Sequence, residues 1–295
     1  MRAFMKRRLV VFLLVCSGVG PPAAWADEIA VVLSSNLGPY QAALAGVQEG
    51  LGRSVPVLYL SNGDISLPAG TRVVVAIGGK AALQIQRKDV AMVYCMAPGM
   101  FLPSNDRKAP VVKIYMMPPA PTVMNTLKEI QPNLRTLGIL GLSEGWGPFN
   151  AQMQQLGGGM GVRVIIDKME GSDDLPDHLR ALRSQINAIW IPPDPRLITS
   201  HNFNLIKEFC SSNHIPFYVP TLELVEQGAT ASVASSFADI GRIAAQAAKD
   251  LLAGAVKETQ VYPDKPRIAV NMASASECGL KLSPELLQKV EKKIP

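Results

Sequence analysis

The chain has 295 residues, and its 29 Lys and Arg outnumber its 24 Asp and Glu to give a formal net charge of +5. A chain of this length suits about two domains. Its 24 Gly and 23 Pro are an ordinary share, which excludes a collagen-like or low-complexity protein. Taken alone, the positive charge would favour a nucleic acid or an anionic membrane as a partner.

The N-terminus has the three parts of a secretory signal peptide. A basic stretch at residues 1–8 contains four Lys and Arg, and an apolar stretch follows from Leu9 to Gly20. The apolar stretch is shorter than the roughly 20 residues of a membrane-spanning helix. Ala24-Trp25-Ala26 is the small-x-small pattern that signal peptidases cleave, so we predict a signal peptide at residues 1–26 and cleavage before Asp27.

Cleavage there would change both the charge and the cysteine count. The remaining 269 residues carry 25 basic and 24 acidic side chains, a net charge of +1, which removes the main argument for nucleic-acid binding. Three cysteines remain, Cys95, Cys210 and Cys278, so at most one disulfide can form, and the sequence leaves open whether any two pair. A lipid anchor on Cys16 is an alternative, which the bulky residue before Cys16 disfavours.

From Ile29 onwards, short runs of β-branched residues alternate with segments of helical periodicity. The predicted strands are Ile29–Ser34, Val55–Leu60, Val73–Ile77, Met92–Met96, Val111–Met116, Ala188–Ile191, Pro216–Val219 and Ala229–Ser235. The predicted helices are Tyr40–Leu51, Ala81–Arg87, Thr199–Ser212, Phe237–Leu252 and a last one that begins at Pro284. Strands that alternate with helices favour an α/β fold with parallel sheets covered by helices.

The second half of the chain repeats the beginning of the first. When residues 29–57 are placed over residues 138–166, eight of the 29 positions are identical. Both segments read as strand, serine, Gly-Pro-aromatic, helix, Gly-x-Gly and strand. Shared turn residues explain part of this match, and the common order predicts two domains built alike. The glycines at 157–159 precede a strand, so we expect a loop that ends a helix and no phosphate cradle.

Residues 141–145 (GLSEG) match the G-x-S-x-G nucleophile elbow of serine hydrolases, directly after a strand and before a helix. A hydrolase also needs a histidine at the same edge of the sheet. His214 directly precedes a strand and belongs to the opposite edge, His178 is expected on the solvent side of a helix, and only His201 could approach. Because the serine aligns with Ser34 in the repeat, we favour a positional role shared by both halves.

Gly78-Gly79-Lys80 resembles the end of a phosphate-binding P-loop. It lacks the first glycine of that motif, and Ala81 stands where Ser or Thr would hold magnesium. Two interpretations stay open. The turn from strand to helix offers free backbone N–H groups to an anion, or it is a tight turn with Lys80 in solvent.

Three further features have both a binding and a structural interpretation. Trp146 follows the repeated serine and would either stack on a ligand or pack in the core. Asp194 and Arg196 follow a predicted strand, at the edge where open α/β sheets bind ligands, or form an ordinary turn among prolines. Cys210 and His214 are four residues apart, which would put them on one face of a helix, but two ligands do not make a metal site. We therefore predict no metal and no cofactor.

Several segments then resemble those of one transporter family. They are residues 219–229 (VPTLELVEQGA), 239–245 (DIGRIAA), 252–254 (LAG), 270–271 (VN), Ala275, 279–280 (GL) and 283–287 (SPELL). Residues 76–82 (AIGGKAA) are similar to its strand-Gly-Thr-Pro-Ala-Ala turn, and residues 189–194 (IWIPPD) to its Ile-Pro-x-Asp strand end. This family is the ABC-transporter substrate-binding proteins that include tryptophan- and tyrosine-binding members.

The resemblance implies a type I periplasmic-binding fold, with two Rossmann-like lobes and a ligand between them. The three crossovers that join the lobes are expected near Met116, Ser235 and Pro263. The first lobe would contain residues 27–116 plus 236–262, and the second would contain residues 117–235 plus 263–295.

The resemblance also implies where the ligand is bound. The family would place contacts at Ser34, Ser35, Gly79, Lys80, Ala81, Ser143, Asp194 and near Thr221. Gly78, Glu144 and Trp146 join this set because they lie in the same loops, and Asp194 or Glu144 could meet an ammonium group. Two departures, Gly79-Lys80 for Thr-Pro and Ala97-Pro98-Gly99 for Asp-Pro, suggest a ligand other than an aromatic amino acid.

We therefore expect an exported, monomeric solute receptor of an ABC importer, in the periplasm or extracytoplasmic space. Its partners would be a small-molecule ligand, an inner-membrane permease and the ATPase of that permease, with no catalysis of its own. Hinge closure would hold the ligand. Two alternatives stay open: a sensory or envelope-assembly protein of the same fold, and a serine hydrolase that uses Ser143.

Overall fold

The computed structural model describes residues 28–63, 65–102 and 107–295, so the predicted signal peptide and its cleavage site lie outside the described residues. The described strands are β1 (Ile29–Leu33), β2 (Val57–Tyr59), β3 (Val73–Ile77), β4 (Ala91–Cys95), β5 (Val111–Ile114), β6 (Thr136–Gly141), β7 (Arg163–Lys168), β8 (Ala188–Trp190), β9 (Phe217–Val219), β10 (Ala231–Ala234), β11 (Gln260–Val261), β12 (Arg267–Asn271) and β13 (Val290–Ile294). The described α-helices are α1 (Gly38–Leu51), α2 (Gly79–Gln84), α3 (Ala120–Ile130), α4 (Gly147–Gly159), α5 (Leu175–Leu182), α6 (Ser200–Ser212), α7 (Leu222–Glu226), α8 (Phe237–Leu252), α9 (Met272–Glu277) and α10 (Pro284–Lys289).

The first sheet has six strands in the order β11-β5-β4-β3-β1-β2, and all its neighbouring pairs are parallel. Its central strands are buried on both faces, as expected of a parallel sheet covered by helices. Ile29, Val31 and Leu33 of β1 pack with α1 and α8 on one face. Val32 packs with α2 on the other.

Helices α1 and α8 lie backbone against backbone because each presents a glycine to the other. A Cβ atom on Gly46 would lie 2.0 Å from the carbonyl oxygen of Ala238, and one on Gly241 would lie 2.0 Å from that of Ala43. A real side chain cannot approach so closely, so both positions need glycine. This contact brings α8, which follows a strand of the second sheet, back to the first sheet.

The second sheet has seven strands in the order β13-β12-β10-β9-β8-β6-β7. Its neighbouring pairs are parallel except β10 and β12, so the expectation of parallel sheets is wrong for this pair. Residues 262–266 lead from the carboxyl end of β11 directly into β12. The strand therefore enters the second sheet from its carboxyl edge and runs against its neighbour.

The repeat seen in the sequence corresponds to two units with the same order of strand, helix and strand, β1-α1-β2 and β6-α4-β7. Their helices begin at equivalent residues, Gly38 and Gly147. The loop predicted at 157–159 is wrong, because α4 continues to Gly159 and these glycines form its last turn. Gly157 packs tightly there, since a Cβ atom on it would lie 2.5 Å from the carbonyl oxygen of Val162.

Candidate binding site at the facing sheet edges

The chain passes between the two sheets three times by short connections. They run from Ile114 at the end of β5 to Ala120 of α3, from Ala234 of β10 to Phe237 of α8, and from Val261 of β11 to Arg267 of β12. Each connection leaves the carboxyl end of a strand and has two to five residues, which reach at most about 20 Å. The carboxyl edges of the two sheets therefore face each other, and open α/β sheets bind ligands at such edges.

Ser34 and the turn after β3 form one polar group on the first sheet. Ser34 Oγ accepts a hydrogen bond of 2.8 Å from the N–H of Ala81, in the first turn of α2. Gly78 has a φ of +104°, and a Cβ atom there would lie 2.3 Å from Ser34 Oγ, so the turn needs glycine. The N–H of Gly78 donates to the carbonyl oxygen of Cys95. The expectation of free N–H groups is therefore wrong for Gly78 and Ala81.

Three other predicted residues of this edge lie nearby. Ser35 Oγ accepts a hydrogen bond of 3.3 Å from the N–H of Leu37. Lys80 is exposed, and among the described residues it has no ion-pair partner. Gly79 is the first residue of α2, and a Cβ atom on it would lie 3.2 Å from Met100 Sδ.

Asp194 organises the edge of the second sheet. Its side chain is fully buried, and each carboxylate oxygen accepts two hydrogen bonds. Oδ2 accepts from the N–H groups of Leu142 (3.2 Å) and Ser143 (2.8 Å). Oδ1 accepts from Ser143 Oγ (2.8 Å) and from the N–H of Arg196 (3.0 Å). Asp194 therefore fixes the loop after β6 to the loop after β8, which is more than ordinary turn chemistry.

Glu144 and Trp146 follow in the loop between β6 and α4. The exposed Glu144 forms an ion pair of 2.9 Å with Lys168 Nζ, and the hydrogen bond and charge of Lys168 lower the pKa of Glu144 from its ordinary value. Trp146 is only 3% exposed and lies edge-on to Phe149, so its ring packs in the core. Its Nε1–H is buried, and within the described part of the chain it has no hydrogen-bond partner.

Residues 97–100 lie between two polar groups, the one formed by Ser34 with Gly78–Ala81 and the one formed by Ser143 with Asp194. A Cβ atom on Gly79 would lie 3.8 Å from Ala97 Cβ, and one on Gly99 would lie 3.1 Å from Trp146 Nε1. A Cβ atom on Gly145 would lie 1.6 Å from the carbonyl oxygen of Gly99. The loop after β4 of the first sheet thus touches the loop after β6 of the second, and two glycines permit the contact.

Thr221 lies in a different part of the facing edges. It directly precedes α7 and lines a cavity of about 270 Å³ together with Ser235, Phe237 and Arg267. This cavity lies beside the connection from β10 to α8. The structure thus gathers Ser34 with Gly78–Ala81, and Ser143 with Asp194, while Thr221 joins neither group.

Gly99 and Gly145 were not predicted as contact residues, and Arg196 was predicted either as a ligand contact or as part of an ordinary turn. Arg196 instead donates from Nη1 to the carbonyl oxygen of Leu142 at 3.2 Å, a second link between the two loops. Gly99 has a φ of +66°. A glycine in a turn that follows a strand is a sequence signal for such a backbone conformation. Contact between Gly99 and Gly145 depends on two sheets and has no local sequence signal.

The arrangement of the histidines does not supply a base for Ser143. Ser143 Oγ donates to Asp194, and no histidine of the described residues makes a hydrogen bond to it. His178 is partly exposed, and its Nδ1 lies 2.6 Å from Asp167 Oδ1, so its side chain pairs with a carboxylate at the helix surface. His214 lies near the carbonyl oxygen of Glu277. His201 is exposed on α6.

Cys210 and His214 do not form a metal site, and the described cysteines form no disulfide. Helix α6 ends at Ser212 and His214 has a φ of +52°, so the expectation that both lie on one helical face is wrong. Among the described residues, no three His, Cys, Asp or Glu side chains are grouped as metal ligands would be. Cys95, Cys210 and Cys278 are free thiols, and burial raises the pKa of Cys95 to about 12.

The structure consists of two α/β units that are joined by three short connections and face each other with the loops at their carboxyl edges. This arrangement defines a bilobal periplasmic-type binding protein.

Three solved structures share this fold over about nine tenths of the chain. A protein from Streptococcus pneumonia described in complex with L-Trp has a TM-score of 0.68 and 19% identity, covering 90% of this chain and 99% of its own. A conserved domain protein from Vibrio cholerae has a TM-score of 0.66 and 16% identity, with coverages of 91% and 99%. A ligand-free, open substrate-binding protein with adhesive properties from Clostridium difficile has a TM-score of 0.66 and 14% identity, with coverages of 91% and 100%.

The family follows from the sequence itself. The profile of the ABC transporter substrate-binding proteins matches residues 117–294, so this chain belongs to that family. No curated protein sequence shows significant similarity to the chain. Within the described residues, no helix is both long enough and apolar enough to cross a membrane.

Proposed function

We propose that this protein is the extracytoplasmic solute-binding component of an ABC importer. It binds a small, amino-acid-like ligand between the facing sheet edges and delivers it to an inner-membrane permease that an ATPase drives. Membership of the family supports the transport role. The predicted signal peptide supports a location outside the cytoplasm, where the protein acts as a monomer and without catalysis.

The two lobes are residues 27–116 plus 236–262 and residues 117–235 plus 263–295. Sheet membership supports these bounds, because β1 to β5 and β11 form one sheet and the remaining described strands form the other. The packing of α8 on α1 supports the return of the chain to the first lobe. The ligand is held when the lobes rotate towards each other about the three connections.

The contact of residues 97–100 with both polar groups carries this proposal. It joins the turn at Gly79 to Ser143 and Trp146 across the two sheets. A contact made only by loops at facing edges forms when the lobes are close together and breaks when they separate. The buried Nε1–H of Trp146 beside Gly99 is an unused donor for a ligand oxygen in this cleft.

The geometry divides the predicted residues into two roles. Asp194 is a positioning residue, because four donors already occupy its two oxygens and it fixes Ser143. Glu144 is the carboxylate that meets a ligand ammonium group, since it is exposed at the edge and Lys168 is its only ion-pair partner among the described residues. Ser35 and the backbone of Gly79 and Lys80 receive the ligand carboxylate.

Calorimetric titration of the exported protein with the L-amino acids tests this function, and L-tryptophan is included because a structural relative is described with it. We expect saturable binding of at least one amino acid, and binding of its methyl ester that is weaker by about tenfold or more, because the ester lacks the charged acceptor. Glu144→Gln should weaken binding, whereas Asp177→Asn, at an exposed ion pair of α5, should not. If none of the amino acids binds, the proposed ligand class is wrong.

Uptake measurements separate transport from sensing. Cells that lack this gene should lose uptake of the labelled ligand, and a copy of the gene should restore it. Normal uptake in the deletion strain would overturn the importer role and favour the sensory or assembly alternative, even if the purified protein binds the ligand.

A further inference from the structure

A second cavity, separate from the facing edges, lies against the outer strands of the first sheet. It has a volume of about 590 Å³ and is lined by residues of β4, β5 and β11 and by flanking loops. Cavities of roughly 300–1,000 Å³ are typical of small-molecule sites. None of its described lining residues belongs to the site proposed above.

The cavity contains a buried lysine that has no anionic partner in the described part of the chain. Lys113 of β5 is 5% exposed, and burial lowers its pKa to about 8. Its Nζ lies 3.4 Å from the ring centroid of Phe101 and 4.3 Å from that of Tyr115. Among the described residues, no oxygen accepts a hydrogen bond from Nζ and no carboxylate is paired with it.

The two rings compensate only part of the cost of burying this charge. Cation–π contacts stabilise a lysine by roughly 0.5–2 kcal/mol, but they leave its three N–H donors without an oxygen acceptor. Buried charges in proteins are normally paired and hydrogen-bonded. The part of its environment that the structure describes is therefore incomplete without an anion.

The other charges around the cavity have the same sign. Arg107 and Lys108 line it, and its described lining contains no acidic residue. Arg107 donates from its Nη atoms to the carbonyl oxygens of Ile85, Arg87 and Val90, while its buried Nε–H has no partner among the described residues. A cavity with two lysines and an arginine repels cations and attracts anions.

The remaining wall is largely apolar and aromatic. Tyr94, Phe101 and Leu102 line the cavity beside the cations. Burial raises the pKa of Tyr94, so its hydroxyl stays neutral. One buried ammonium group beside an apolar wall suits a single negative charge on an apolar body better than a dianion, whose second charge would be costly to desolvate.

We propose that this cavity is a second binding site of the protein, for a small monocarboxylic acid with an apolar body. The carboxylate accepts hydrogen bonds from Lys113 Nζ, and the apolar body lies against Tyr94 and Phe101. The site belongs to one lobe, so it does not depend on closure or on the identity of the ligand in the cleft.

Brominated acids locate the site directly. Crystals of the exported protein are soaked in 4-bromobenzoate or 5-bromopentanoate, a flat and a flexible member of the class, and anomalous scattering locates the bromine. We expect bromine in the cavity and a carboxylate oxygen within hydrogen-bond distance of Lys113 Nζ. Bromine found only between the two sheets, or only at crystal concentration with no binding in solution, would overturn the proposal.

Titration in solution tests the role of the charge. Lys113→Met should weaken binding of the acid that the crystals accept by about tenfold or more, and Lys113→Arg, which keeps the charge, should restore most of it. Lys293→Met removes an exposed lysine of β13 and should leave binding unchanged. Equal binding of the uncharged 4-bromobenzamide, or no effect of Lys113→Met on binding in a variant that unfolds cooperatively, would contradict the proposal.

Asp106 precedes Arg107 in the sequence and lies outside the described residues, so its carboxylate needs a control. Asp106→Asn should bind the acid as the unmodified protein does. If the acid binds only after this substitution, the side chain at 106 is the native partner of Lys113, and the proposal is wrong.

Discussion

At the scale of single residues, two buried charges have opposite surroundings. The carboxylate of Asp194 accepts four hydrogen bonds, whereas the ammonium of Lys113 faces two aromatic rings and no described carboxylate. Hydrogen bonds compensate for the lost hydration of the first charge. The buried charge of Lys113 has no such compensation from the described residues and lowers the stability of the folded state, as expected of a side chain whose role is to bind an anion.

Asp194→Asn should destabilise the protein by about 2–4 kcal/mol, because an NH₂ group would replace one oxygen and face donors of Ser143 and its neighbours. The free energy of unfolding from urea denaturation measures this effect. Asp177→Asn, in the exposed ion pair with Arg180, serves as the control and should change stability by less than about 0.5 kcal/mol. Equal effects at both positions would contradict a positioning role for Asp194.

Lys113→Met should stabilise the protein at pH 7 by about 1–3 kcal/mol, since it replaces a buried charge by an apolar side chain. The pKa of Lys113 is about 8 in the folded state, against an ordinary 10.5, so the cost of its charge is full below pH 8. Between these values the unfolded state binds more protons, and the cost decreases as the pH rises. The neighbouring Arg107 and Lys108 are cationic, and burial raises the pKa of Tyr94.

Urea denaturation of the unmodified protein and of Lys113→Met, at pH 7 and at pH 10, gives the difference in their free energies of unfolding. The advantage of Lys113→Met should be smaller at pH 10 than at pH 7. An advantage that is independent of pH would mean that packing, and not charge, is its cause.

At the scale of elements, the strands are the part that sequence predicts well. β3 has the predicted bounds, β1 ends one residue earlier than predicted, and β4 is shifted by one residue at both ends, because continuous β-branched runs suit strands buried on both faces. The glycines were harder to interpret. Those at 157–159 lie inside a helix, and Gly46 and Gly241 matter only through a partner helix that is distant in the sequence.

Gly241→Ala should destabilise the protein by roughly 1–3 kcal/mol or more, because its Cβ would lie 2.0 Å from the carbonyl oxygen of Ala43 and the helices would have to separate. The matched control is Gly158→Ala in α4, where nothing lies within 4 Å of the added Cβ. There, alanine should stabilise the helix by about 0.5–1 kcal/mol. If the contact between α1 and α8 is as described, thermal and urea unfolding should show a loss of stability for Gly241→Ala and a gain for Gly158→Ala.

At the scale of the whole molecule, the contact between Gly99 and Gly145 tests the proposed closure of the lobes. Gly145→Val places a side chain where the carbonyl oxygen of Gly99 would lie 1.6 Å from its Cβ, so the variant cannot reach this arrangement. We expect at least about tenfold weaker binding of the cleft ligand. Stability should change little, since the clash disappears when the lobes separate.

Small-angle X-ray scattering with and without ligand measures the closure. The unmodified protein should become more compact when the ligand is added, and Gly145→Val should not. Gly147→Ala, where no atom lies within 4 Å of the added Cβ, is the control and should close normally. Closure of Gly145→Val with unchanged affinity would show that this contact has no part in binding.

The sequence by itself determined the α/β class, the repeated unit and the family, because hydrophobic periodicity, turn residues and family motifs are local properties of the chain. It also predicted that the loops after β1, β3, β6 and β8 form a binding edge. The tertiary structure decided the role of each residue there. Asp194 and Ser143 are 51 residues apart in the chain and share two hydrogen bonds, and Gly99 meets Gly145 across two sheets. Such contacts depend on how the sheets are placed, and no local pattern of residues records that placement.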